Sequence, residues 1–444
     1  MIRLKRGFDI KLEGRPRPVR LETAPPRTCA LKPPDIPGLD PIPALAVREG
    51  ARVLAGDVVF TPKDSPQIKF CSPVSGRLAE IRRGAKRAVT EIVIECDAGT
   101  EHRTFGKLES APRERVVEAL LAGGAWPLIR QRPFNVLADP GAAPRDIFIS
   151  CFDTAPLAPD YAVLMQGKEE AFAAGLRTLR LLTSGQVHLG VSPRSPDLFR
   201  RAGGVKVHAF EGPHPAGTVG VQIHHVAPIA CGEIVWTVKP QDVAIIGRLV
   251  SEGIFDARRT VALTGSELQN TGYVDTILGG AVSPLLENNL KQDHVRVIGG
   301  NPLTGTRIGP EGHLGLFDDQ VTVIEEGDQP EFLGWLLPSY PRPSLSRTFL
   351  SYLRPDREYR VNTNQHGEER AYVMTGEYER VVPMDLYPQH LIKAILCRDF
   401  DQMEGLGIYE VVEEDLALCE FVCTSKQPVQ KILREGLDWI RAEA

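Results

Sequence analysis

The sequence is short of several things, and each shortage closes a class of function. In 444 residues no apolar run approaches the roughly 20 that a membrane-crossing helix requires, and the five-residue run at 161–165 shows the scale. The expectation is a chain that does not itself span a bilayer. Arg3, Lys5, Arg6 and Asp9 interrupt the opening residues, so no secretory apolar region is expected there. The 8 cysteines are too sparse for a disulfide scaffold and fit reduced thiols. Aromatics are only 7%, and the basic residues lie among prolines without interleaved rings, which argues against a nucleic-acid partner. No fixed-period repeat, nucleophile elbow, Ser/His/Asp order, paired-carboxylate pattern or zinc signature stands out. No catalytic residue and no metal ligand is therefore nominated.

What is present reads as a soluble globular chain: 42% hydrophobic and 25% charged, with enough length for about three compact units. The net charge of −5 hides an asymmetry. Residues 1–90 carry 18 Lys/Arg against 9 Asp/Glu, whereas residues 401–444 carry 4 against 10. Two differently solvated surfaces would account for this. The sharper alternative is a basic face turned toward a membrane surface or an acidic subunit.

Seven prolines between 25 and 43 predict an extended connection. Short strands punctuated by glycine follow from 44 to 95. Next come helices over 113–122, 169–182 and 241–250, and strands over 146–151, 186–191, 205–210 and 234–238, an alternation suited to an α/β unit. A smaller unit follows, with strands at 261–263, 295–298 and 321–325 and a helix expected over 274–288. The tail is predicted helical over 388–397, 414–422 and 428–441; in the last, Val429, Ile432, Leu433, Gly436 and Ile440 share one face.

Residues 47–81 have the grammar of a lipoyl- or biotinyl-type module, with glycines at its tight turns and Pro73 and Gly76 opening the second half-repeat. A carrier needs a lysine at the hairpin tip, but that position is Ser65, which cannot form the amide. Gly300 and Gly305 have phosphate-loop spacing, yet Thr306 replaces the phosphate-neutralising lysine, so the segment reads as turns. His224 and His225, placed on a strand, would point to opposite faces and make a poor metal pair. The Gly212-Pro213-His214-Pro215-Ala216-Gly217 turn offers one imidazole for a small-molecule carbonyl, an exposed bystander being the alternative. Cys419 and Cys423 form the last two positions of an iron–sulfur run whose first two would be Glu413 and Leu416, and two thiolates cannot close a four-iron cluster.

Taken in order, several segments resemble the A-subunit family of sodium-translocating NADH:quinone reductases. They include Ile2-x-Leu4-Lys5-Arg6-Gly7-Phe8-Asp9-Ile10, Phe70-Cys71-Ser72-Pro73-Val74-Ser75-Gly76 and Arg83-Gly84-Ala85-Lys86-Arg87. Arg130-Gln131-Arg132-Pro133-Phe134, the His214 turn, Phe332-Leu333-Gly334-Trp335 and the segment 415–423 continue the match. The family is related to the C subunit of the Rnf complex and the flavin-bearing subunit of respiratory complex I. The resemblance implies a mixed α+β and α/β multidomain chain. Its expected parts are a barrel-sandwich hybrid (lipoyl-like) module in 1–100, a Rossmann-like domain in 101–256, a β-grasp, SLBB-like domain in 257–330 and a C-terminal helical domain in 331–444.

In the relatives a glycine-rich loop lets the backbone approach FMN. The similarly placed stretch here, 129–135, carries bulky side chains, so neither FMN, FAD nor an iron–sulfur cluster is expected in this chain. The resemblance further implies a peripheral subunit on the cytoplasmic side of the bacterial inner membrane, reaching the membrane through the other five subunits of the complex. That translocase passes electrons from NADH to ubiquinone and exports Na⁺, and its A subunit is associated with quinone binding and with reduction of ubisemiquinone to ubiquinol. Candidate quinone contacts are Arg130, Arg132, Phe134 and His214: cations and an imidazole for the quinone oxygens, an aromatic for the ring. An Rnf-C-like subunit that itself binds FMN and NADH, and a cofactor-free scaffold, are the competing readings.

Overall fold

A computed structural model describes residues 1–108, 111–329, 342–346 and 349–443. The 332–335 motif lies outside the described residues. Two small antiparallel sheets form the barrel-sandwich module. One orders Thr28–Leu31, Val89–Cys96, Gly76–Arg83 and Arg52–Val53; the other orders Ala44–Leu45, Val58–Thr61 and Phe70–Cys71. Val59, Phe60, Leu78, Ile92 and Ile94 are buried in this module, the pairing being irregular between Val58 and Phe60, and Phe60 stacks on Phe70 with ring centroids 4.3 Å apart.

A seven-stranded sheet forms the centre of the chain. Its order is Ile2–Arg3, Lys206–Glu211, Val187–Val191, Asp146–Ser150, Val235–Thr237, Arg130–Arg132 and Val136–Leu137. The first five pair in parallel, and Arg130–Arg132 pairs antiparallel with its neighbour on either side. Buried on both faces, the central strands are continuously apolar, as in Ile147, Phe148 and Ile149. Helices Glu169–Arg180 and Pro240–Glu252 cover one face and touch through glycine. A Cβ at Gly175 would lie 2.0 Å from the Val243 carbonyl oxygen, and one at Gly247 would lie 1.8 Å from that of Ala171. Only the missing side chains allow this approach.

A third unit is a five-stranded mixed sheet, Gly272–Ile277, Arg258–Thr264, Gln320–Glu325, Val295–Gly299 and Thr306–Ile308. Here the helix expected over 274–288 is corrected. Tyr273, Val274, Thr276 and Ile277 extend a strand, Gly279-Gly280 ends it, and only Ser283–Leu286 turns helical. β-Branched residues paired along Arg258–Thr264 outweigh the apparent helical periodicity. The tail packs helices Glu377–Val381, Pro388–Cys397, Phe400–Gly405, Ala417–Val422 and Val429–Glu443 around Leu391, Ile392, Leu433, Leu437 and Ile440. Leu4, Ile10 and Leu12 pack into this same core, so the chain start joins sheet and tail rather than the module it precedes in sequence. Among the described residues, no helix is long and apolar enough to cross a membrane.

Candidate functional site

In a parallel α/β sheet, ligands settle at the carboxyl ends of strands where the chain order reverses. That point lies between Asp146–Ser150 and Val235–Thr237: residues 151–155 leave the first strand there and 238–240 the second. Arg130, paired opposite Thr237, reaches the same end. Its guanidinium lies 4.7 Å from the Phe317 ring centroid, and burial lowers its pKa. Asp153 sits across the crevice, its carboxyl pushed up by burial although the amides of Ala155 and Thr154 and the charge of Lys239 pull it down. Lys239 donates from Nζ to the Phe317 carbonyl at 2.6 Å and to Asp319 at 3.1 Å. Burial is the largest influence and opposes its charge, but Asp319 and Asp242 together outweigh it and raise the pKa.

The structure brings the four sequence candidates to one neighbourhood in two tiers. Arg130 and His214 border the crevice, both within electrostatic reach of Glu414. His214, expected in a loop and as a possible exposed bystander, is 5% exposed. Its Nδ1 lies 3.1 Å from the Thr154 hydroxyl, its amide donates to Asp9 at 2.8 Å, and burial pulls its pKa down to about 4. A neutral imidazole at pH 7 can hydrogen-bond a carbonyl but is not a ready proton donor. Arg132 and Phe134 stand behind. Arg132, 1% exposed, donates to Asp415 at 2.7 Å and Glu414 at 2.8 Å. Phe134 occupies a turn at φ +77°, its ring set edge-on to Tyr409 and its carbonyl held by Arg434 at 2.8 Å. The segment 130–137 is thus a hairpin clamped by side chains of the tail.

Asp153, Thr154, Lys239 and Glu414 escaped the sequence reading. The first three follow strands in an alternating β/α pattern, a signal that could have found them. Phe317 arrives from another domain and leaves no local trace.

His224 and His225 require a correction. They lie in helix Val219–Val226, not on a strand, because Ile223 packs this segment against Phe148 and Val235 of the sheet while Val221 enters the core shared with the tail. His224 accepts the Asp385 amide on Nε2 at 3.0 Å, leaving Nδ1 to donate to Glu410 at 2.8 Å, and His225 donates to the Pro383 carbonyl at 2.7 Å. The pair fastens sheet to tail. Among the described residues no group of three or more His, Cys, Asp or Glu side chains is placed to hold a metal.

The donor set at the tail does not fit a four-iron cluster. Cys419 and Cys423 are buried; Cys423 Sγ accepts from the Tyr378 hydroxyl at 3.0 Å and the Gln427 amide at 3.3 Å. Leu416 fills the apolar core, and Glu413 pairs with Arg434 at 3.3 Å. Asn301 likewise explains its glycine-flanked turn, capping the amides of Leu303 and Thr304 at 2.9 and 3.1 Å.

The class is therefore a multidomain α/β protein joining a barrel-sandwich module, with Ser65 where a carrier lysine would stand, through a central α/β sheet and a smaller mixed sheet to a helical tail. Residues 2–97 match the family of the NqrA N-terminal barrel-sandwich hybrid domain, 111–255 the NqrA second alpha/beta domain and 260–309 the NQRA C-terminal domain, of SLBB type. Proteins named as the A subunit of Na(+)-translocating NADH-quinone reductase are similar along their whole length. That of Alcanivorax borkumensis is 38% identical over all of both chains; that of Rhodopirellula baltica is 37% identical over 99% of this chain and 98% of its own. The Vibrio parahaemolyticus protein is 36% identical over all of both. The chain belongs to the family of A subunits of Na⁺-translocating NADH-quinone reductases. Among solved structures, a chain of the NAD⁺-reducing [NiFe]-hydrogenase in its H2-reduced state aligns over 49% of this chain and 50% of its own, at TM-score 0.36 and 12% identity, too faint to argue from.

Proposed function

We propose that this chain is the peripheral A subunit of a six-subunit complex that oxidises NADH, reduces ubiquinone and exports Na⁺. It sits on the cytoplasmic face of the bacterial inner membrane and reaches the lipid through its five partners. Its own share is to bind quinone and assist reduction of ubisemiquinone to ubiquinol, with flavin chemistry left to other subunits. The domain division at 100, 256 and 330 belongs to the same reading.

The observation that carries the quinone role is the convergence of Arg130 and His214 on the strand-end crevice beside Glu414. Arg130 offers guanidinium N–H groups to a quinone oxygen, and the neutral His214 imidazole offers a hydrogen bond. Arg132 and Phe134 hold the hairpin that presents Arg130 and act as positioning residues. The hairpin also speaks against FMN, because bulky side chains stand where the related loop needs glycine.

Substituting Arg130, Arg132, Phe134 and His214 together should weaken binding of quinone or a quinone-site inhibitor to the assembled complex; unchanged affinity would refute the site. An absorption spectrum of the purified chain with stoichiometric flavin or iron–sulfur bands would favour the Rnf-C-like reading instead. Isolation from native membranes as a free soluble protein would favour the scaffold.

A further inference from the structure

The barrel-sandwich module carries an open groove of about 770 Å³ whose lining includes none of the crevice residues. Leu45, Val47, Ala51 and Ile81 give it an apolar floor, and Arg48 and Arg83 stand at its sides. Glu49 also lines it, but its carboxylate is engaged by the Ile81 amide at 2.8 Å. The positive charge is continuous beyond the groove. Arg83 donates to the Arg87 carbonyl at 3.2 Å, drawing the exposed hairpin tip with Lys86 and Arg87 to one side, and Arg77 lies over Gly50 nearby.

Neighbouring arginines show what a satisfied cation looks like on this surface: Arg52 is paired with Asp97 and Glu101, and Arg82 with Glu80 and Glu91. Arg48, Arg77, Arg83, Lys86 and Arg87 form no ion pair among the described residues. Arg48 and Arg83 on the groove, with Arg77, Lys86 and Arg87 beside it, outnumber the single Glu49 carboxylate, an excess of positive charge that an anionic partner would relieve.

We propose that this groove seats an extended peptide segment of another protein, with an apolar stretch flanked by Asp or Glu. The apolar side chains cover Leu45, Val47 and Ile81, and the carboxylates meet Arg48 and Arg83. An anionic bilayer is the alternative occupant, and the vesicle arm of the test separates it from the peptide. A second copy of this chain fits less well: Glu413, Glu414 and Asp415 of its acidic tail are already held by Arg434 and Arg132. The inference is independent of the quinone site.

The test uses the purified full-length chain and a fluorescein-labelled peptide, Asp-Glu-Leu-Val-Ile-Leu-Asp-Glu, followed by anisotropy. Saturable binding is expected, weakened at least tenfold by Arg48→Glu with Arg83→Glu, and lost when the peptide's acids are replaced by lysine. Ala46→Trp, at an exposed position lining the groove, should also block binding without any change of charge. Circular dichroism of each variant establishes that the fold is retained. Absence of saturable binding, or equal affinity for wild type and all variants, overturns the proposal. So does Arg48- and Arg83-dependent sedimentation with phosphatidylcholine–phosphatidylserine vesicles when the peptide does not bind, or a dimer in solution that the double charge reversal dissociates. In the assembled complex, a photo-crosslinker at Val47 should join an acidic segment of another subunit; crosslinks to lipid alone would overturn the proposal.

Discussion

Replacing Arg132 with methionine isolates the contact that ties the central sheet to the helical tail. The Arg132 side chain is 1% exposed, and its two carboxylate partners differ sharply. Asp415 is fully buried, whereas the Glu414 side chain is 43% exposed. The exposed pair contributes at most about 1 kcal/mol. The buried pair is another matter, because its removal strands a carboxylate. Asp415 would retain the Val412 amide on Oδ2 at 2.9 Å, while Oδ1 already lacks a hydrogen-bond partner. Breaking one side of such a pair costs about 3–5 kcal/mol, nearly all of it the uncompensated charge. Relaxation is restricted, since helix Val219–Val226 leans on the pair where a Cβ at Gly220 would come within 2.5 Å of both residues.

The pH dependence supplies a sign. Burial pushes Asp415 up to about 6 even with Arg132 present, and loss of the arginine raises it further. A carboxyl whose folded pKa exceeds its unfolded one regains stability as pH falls, so the deficit of Arg132→Met should shrink from pH 8 to pH 5. The assay is urea denaturation by Trp fluorescence, paired with hydrogen exchange of residues 410–423, because a multidomain chain opens locally before it unfolds globally. Adding Asp415→Leu should restore most of the loss, as apolar replacement of a whole buried pair often does. A single-variant cost below about 1 kcal/mol, or a double variant as unstable as the single, would refute the reasoning.

Three other outcomes follow from named contacts. With its folded pKa near 4 against about 6.5 unfolded, His214 contributes about 3 kcal/mol above pH 6.5 that is lost as pH falls toward 4. His214→Asn should therefore flatten stability between pH 4.5 and 7 in denaturation midpoints, and an unchanged slope would count against burial as the cause. Gly175→Ala must part the Glu169–Arg180 and Pro240–Glu252 helices and should cost at least about 1–3 kcal/mol in thermal or urea unfolding, although alanine favours helix by about 1 kcal/mol. Cys231 and Cys397 are exposed and should alkylate quickly in the native chain, while burial raises Cys71 to about 12 and pushes Cys419 upward as well. Peptide mapping that found Cys419 or Cys423 labelled as fast as Cys231 would contradict the closed tail core.

Much of the architecture was legible because short-range chemistry and long-range packing agree. Residues 146–151 are apolar enough to be a strand buried on both faces, and Pro388–Cys397 starts at a proline and keeps an apolar face, as expected. The expectation fails where tertiary contacts decide. Residues 219–226 hold three valines and an isoleucine, which favour a strand, yet packing on Phe148 and Val235 makes them helical and turns His224 and His225 toward the tail. Residues 274–277, expected to open a helix, fail the opposite way, drawn into a strand by a partner some 15 residues earlier. The same distinction governs the site. Arg130 could be nominated from its own segment, but its partner Phe317 lies 187 positions away, and Glu414 reaches it only because the tail folds back over the sheet. Residue chemistry is local, whereas a crevice is a property of three chain segments meeting. The hairpin at 130–137 shows how the two join: its own sequence supplies Arg130 and Arg132, while Arg434 and Asp415, remote in sequence, hold the turn and the Arg132 guanidinium in place.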